Sequence, residues 1–94
     1  MTRPFNDHSF ETLSDQEGGN QFATFDLGCS AALVSAGFAL VKVDKSNPRK
    51  AQFVFTDTGS IAETIEQYWS DQLTVNARTY FDNIKMLKNR LYSQ

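Results

Sequence analysis

The stretch Phe22–Phe55, FATFDLGCSAALVSAGFALVKVDKSNPRKAQFVF, decides the fold of this 94-residue chain. Phe22 and Phe25 frame a strand. Asp26 follows where a helix N-cap is wanted, with a side-chain oxygen suited to an orphan amide of the first turn. The next residues (Leu27, Cys29, Ala31, Ala32, Leu33, Val34, Ala36) are apolar on nearly all sides, which marks a buried helix. Gly37 stands where a left-handed C-cap is needed. Out of it comes a hairpin: Phe38–Val43, a loop over Asp44–Lys50 with an Asn47-Pro48 turn, and Gln52–Thr56. Strict alternation sets Ala39, Val41 and Val43 against Phe38, Leu40 and Lys42 in the first arm. It puts Phe53 and Phe55 on one face of the second arm and Val54 on the other.

Downstream, Ser60 with Glu63 three residues later reads as a capping box. The helix it opens has Ile61, Ile65, Tyr68 and Trp69 at helical spacing, with Glu63, Glu66 and Asp71 outward. Asn76 caps a last helix running to about Tyr92, with the stripe Ala77, Tyr80, Phe81, Ile84, Leu87, Leu91. Arg78, Lys85, Asn89 and Tyr92 fall on one flank of that stripe, with Lys88 at its border. Upstream, residues 1–21 show no periodicity and are rich in Asp, Glu, Ser, Asn, Gly and Gln, so they read as a disordered acidic tail ending at Gly18-Gly19. Residues 22–94 then form a single domain of order β-α-β-β-α-α. The expected class is α+β: a small three-stranded antiparallel or mixed sheet packed on one side by three helices.

Composition bounds the function. A chain this short buries only roughly 60–65% of its unfolded surface, so modest stability is expected. There is no apolar run near the ~20 residues of a membrane span and no secretory leader pattern, so no membrane association is expected. The single cysteine, Cys29, excludes an internal disulfide and agrees with a reducing, cytoplasmic location. Nucleophilic catalysis needs a base that titrates near neutrality, and the one histidine, His8, lies in the acidic tail. One Cys and one His are too few for zinc, and Gly18-Gly19 has no Lys-Ser/Thr behind it to make a phosphate loop. Glu63 and Glu66 read as a solvated acidic face. The expectation is no enzyme, no cofactor and no metal.

The net charge of −2 conceals a segregation. The tail and the second helix are acidic. Two elements are basic: the hairpin, with Lys42, Lys45, Arg49 and Lys50, and the last helix, with Arg78, Lys85, Lys88 and Arg90.

A further set of residues carries a resemblance. Phe25-Asp26-Leu27, Ala31-Ala32-Leu33, Gly37-Phe38, Pro48-Arg49, Phe53-Val54-Phe55 and Tyr68-Trp69 are followed by a final helix with Lys85, Leu87-Lys88 and Leu91-Tyr92. Residues 22–92 thus resemble a small uncharacterised domain of bacteria and their phages, catalogued as a domain of unknown function. The resemblance implies a fold and a provenance, with a weight toward genome handling or host interaction. It brings no catalytic residues.

Two functions are weighed. In the first, a small accessory module binds the backbone of DNA or RNA through Lys42, Lys45, Arg49, Lys50, Arg78, Lys85, Lys88 and Arg90, with Tyr92 or Tyr68 stacking a base. In the second it is a protein-interaction module. The partner is then a larger protein or ribonucleoprotein complex, met by the acidic elements, or a second copy met through an edge strand. Ordinary solubilising charge is the bland alternative to both.

Overall fold

A computed structural model describes residues 10–13, 20–47 and 49–93. The elements in order are β1 (Phe10–Leu13), β2 (Asn20–Thr24), α1 (Leu27–Ser35), β3 (Leu40–Asp44), β4 (Gln52–Asp57), α2 (Ile61–Trp69) and α3 (Ala77–Tyr92). From β2 onward this is the expected β-α-β-β-α-α, an α+β fold with an antiparallel sheet and three helices. The structure adds a fourth strand. β1 pairs antiparallel with β2 and extends the sheet to the order β1-β2-β4-β3. Of the tail expected over residues 1–21, Phe10–Leu13 and Asn20–Gln21 are therefore strand. The rest of it lies outside the described residues, His8 included.

Register builds the core. Phe22, Phe55 and Leu40 form one cross-strand row, and Thr24, Phe53 and Val43 form the next. Paired residues share a face, so three phenylalanines line one side of the sheet. Against them pack Cys29, Ala31 and Leu33 of α1, Ile61 and Ile65 of α2, and Leu87 of α3. The other face carries the row Ala23, Val54, Lys42; Ala23 and Val54 are buried as well.

In β3 the expected alternation fails. Leu40 faces Phe55 and Lys42 faces Val54, so the ladder skips Val41 in a β-bulge. The extra residue changes the phase. Leu40 and Val43, three apart, both meet the core, and Val41 is left exposed.

The α1 caps form as the sequence implies. Asp26 Oδ1 accepts from the Cys29 amide at 2.7 Å, and the Asp26 amide donates to Thr24 Oγ1 at 3.1 Å. At the other end Gly37 has φ 105°, a left-handed backbone that favours glycine. The Phe38 amide reaches back to Leu33 O and that of Gly37 to Val34 O, each at 3.0 Å, which is a full Schellman closure. Gly28 answers to packing instead. A Cβ there would lie 2.6 Å from Tyr68 Oη and 3.3 Å from Tyr80 Oη, and Tyr80 Oη donates to Gly28 O at 3.2 Å. Asn76 caps α3 by accepting from the Thr79 amide at 3.0 Å. The Ser60 capping box does not form, because the Ser60 side chain makes no cap bond; α2 starts with Ile61 buried in the core.

Candidate nucleic-acid interface

The hairpin loop folds toward the end of α3, and one side chain fixes them together. Lys45 Nζ donates to the carbonyls of Arg90 at 2.9 Å and Ser93 at 2.6 Å, with Leu91 O at 3.4 Å. These are the carbonyls that a helix C-terminus leaves without partners, at its negative pole. Lys45 is thus a latch, bridging residues about 45 apart in sequence. The expected consequence of Lys45→Met is a loss of about 1 kcal/mol in urea unfolding, from a charged hydrogen bond and a helix-dipole contact at an exposed site. Lys45→Arg should recover part of it; equal stability of all three proteins would show that the latch is idle.

Beyond the latch an open groove of about 890 Å³ separates the loop from the α3 terminus. Its apolar wall is Leu27, Phe53 and Leu91. Phe25, Lys45, Arg49, Lys50 and Tyr92 also line it, and no described lining residue is acidic. Local turns set the loop cations. Asn47 Oδ1 accepts from the Arg49 amide at 2.9 Å, and Asn47 O accepts from the Lys50 amide at 3.2 Å. At the loop entrance Asp44 accepts from the Ser46 hydroxyl at 2.6 Å and the Ser46 amide at 3.0 Å; these bonds hold its carboxyl below the usual carboxylate range. Lys50 Nζ lies 4.9 Å from the centre of the Phe25 ring, an exposed cation–π contact worth about 0.5–1 kcal/mol. Tyr92 is 77% exposed and Phe25 41%.

The eight basic residues named from sequence divide into groups. Lys45, Arg49 and Lys50 line the groove, and Arg90 only lends Lys45 a carbonyl. Arg78, Lys85 and Lys88 are exposed along α3, the first two opposite the buried Leu87 and Lys88 about 100° from it. Arg78 stands twelve residues before Arg90, about 18 Å along the helix, so it is remote from the groove. Lys42 is cross-strand from Val54, on the sheet face turned away from the helices, and joins neither group. Phe81, placed in the core stripe by spacing, is 58% exposed, with Lys85 Nζ 4.9 Å from its ring centre. Its position is roughly 120° around the helix from Leu87, outside the arc that α1 and the sheet cover.

Phe25, a strand residue by sequence pattern, lies in the groove instead. One signal was available. A residue just before an N-cap often packs on the fourth helical residue, and here that residue is the polar Ser30, which offers no such staple. Elsewhere, Tyr68 Oη is held protonated well above the usual phenol range by burial and by its hydrogen bond with Tyr80. Together with Asp71 and Val75 these two tyrosines line a smaller cleft of about 340 Å³. Among the described residues no three His, Cys, Asp or Glu side chains converge on a metal-sized site. No described helix is long and apolar enough to cross a membrane.

Residues 19–93 match the family described as Domain of unknown function (DUF5659). The chain belongs to that family. No curated protein and no solved structure matches it. The DUF5659 match takes in β2 through α3, and hence both sides of the groove and the Lys45 latch.

Proposed function

We propose that this DUF5659 domain is a small non-catalytic accessory module that binds the phosphate backbone of nucleic acid in the groove between the hairpin loop and the end of α3. One observation carries the reading: Arg49 and Lys50 converge with exposed Phe25 and Tyr92 on an open groove whose described lining contains no carboxylate. Phosphates are recognised by Lys and Arg at such surfaces, and contact fixes position more than sequence. Lys45 supports the site indirectly. By occupying the α3 carbonyls it removes the negative helix pole that would otherwise repel an anion. Its charge reversal would therefore confuse a folding defect with a binding defect, and Arg49 and Lys50 are the cleaner probes.

The test is fluorescence anisotropy of labelled single-stranded DNA, duplex DNA and RNA at ~50 and ~200 mM salt. Two to three phosphate contacts predict roughly tenfold weaker single-strand binding at the higher salt. Arg49→Ala with Lys50→Ala should lower affinity and flatten that salt slope. Absence of binding to all three at ~50 mM would sink the proposal.

A second reading draws on α2. Trp69 is 49% exposed beside the exposed acids Glu63, Glu66 and Asp71, a combination suited to a basic protein partner. Binding of that kind would survive the Arg49/Lys50 double substitution.

A further inference from the structure

Resting on the backbone-binding reading, we infer that the groove is built for single-stranded nucleic acid, with an unstacked base laid against Tyr92 and Phe25 while Arg49 and Lys50 hold the adjoining phosphates. The first reason is the pairing of chemistries. A backbone site needs only cations; here the cations share one groove with two aromatic rings that solvent reaches, and Tyr92 is the most exposed large apolar side chain among the described residues. Bases buried inside a duplex cannot offer a π-face to a side chain, whereas those of a single strand can.

The second reason is that neither ring is part of the core. The Schellman closure, the Phe22–Phe53–Phe55 core and the Leu87 contact are complete without Phe25 and Tyr92, and neither belongs to the buried cluster. Lys50 now rests over the Phe25 face. A phosphate that draws the ammonium aside leaves that face to a base, so the two halves of the ligand are received by one small rearrangement of an exposed side chain. The third reason is shape. The groove is open, about 890 Å³, with its cations on the hairpin loop and its aromatic rings beside them, an arrangement that suits a splayed strand.

The experiment compares one sequence as single strand and as duplex at ~50 mM salt, with wild type, Tyr92→Ala, Phe25→Ala/Tyr92→Ala and Arg49→Ala/Lys50→Ala. Wild type should prefer the single strand by tenfold or more. Each lost stack should weaken single-strand binding roughly 5- to 150-fold and leave duplex binding within about twofold. Tyr92→Ala alone, at a position 77% exposed, keeps the test valid should Phe25→Ala disturb folding. Photocrosslinking to a 4-thiouracil-substituted strand should place adducts on Tyr92 or Phe25. Equal wild-type affinity for both forms, or adducts confined to Phe81 and its neighbours, overturns this inference and leaves backbone binding standing. No binding of either form overturns both.

Discussion

Replacing Phe55 by alanine is expected to cost about 3–5 kcal/mol, the most damaging single truncation in the domain. Phe55 is completely buried, centred between Phe22 on β2 and Leu40 on β3, with Phe53 one row along the same strand. Removing its ring leaves a cavity bounded on two sides by hydrogen-bonded strands that cannot close onto it. A domain of this length has total stability on the order of 5–14 kcal/mol, so the variant should lose a large share of it. Urea unfolding followed by circular dichroism measures the loss. Phe81→Ala is the matched control: the same chemical change at a site 58% exposed, losing chiefly the Lys85 contact, should shift stability by no more than about 1 kcal/mol. Comparable losses at the two positions would mean that the core is not where the sheet places it.

The contrast between Phe55 and Phe81 also shows what a sequence pattern can and cannot resolve. The hairpin phenylalanines, the Asp26 and Asn76 caps and the Gly37 terminator are legible because each is a local requirement, met by a residue within a few positions. Phe81 fits a 3,4 spacing equally well. The width of the buried arc on α3, however, is set by α1 and the sheet, and nothing in α3 itself encodes it. β1 is illegible for a related reason. An edge strand is held by backbone bonds to β2, and a four-residue stretch such as Phe-Glu-Thr-Leu is too short to show a period of its own. The bulge at Val41 breaks a period-2 reading because the pattern Leu-Val-Lys-Val looks regular until the partner strand fixes the register.

The candidate site was legible only in part. Arg49, Lys50 and Tyr92 could be named as chemistry, but their convergence with Phe25 depends on three segments meeting, two of them joined by the Lys45 latch. Long-range closure of that kind leaves no short-range trace. It also reverses the role of Lys45, from a phosphate contact to the residue that shapes the groove, and separates Lys42 and Arg78 from it.

Cys29 should be almost inert in the native state, reacting with a thiol reagent at pH 8 about a thousandfold or more slowly than in denaturant. The Sγ-bearing residue is 2% exposed on α1, and burial, aided by the nearby Asp26 carboxylate, pushes its thiol up to about 12. Reaction must then wait for unfolding or for an opening that exposes α1, so its rate is scaled by the folding equilibrium, on the order of 10³ or more for a stability of about 5 kcal/mol. The same shift carries a pH signature with a definite sign. Below the unfolded thiol's pKa, near 9, both states hold the proton and the group costs nothing. Between 9 and 12 the unfolded chain ionises and the native one does not, so the native state loses about 1.4 kcal/mol per pH unit relative to the unfolded. Tyr68, also raised, adds to this in the same direction above pH 10. Urea unfolding at pH 7, 9 and 10 should therefore show a loss between 9 and 10 that is reduced in Cys29→Ala. Rapid native labelling at pH 8, or identical alkaline losses in the two proteins, would place the thiol at the surface and contradict the packing of α1 against the sheet.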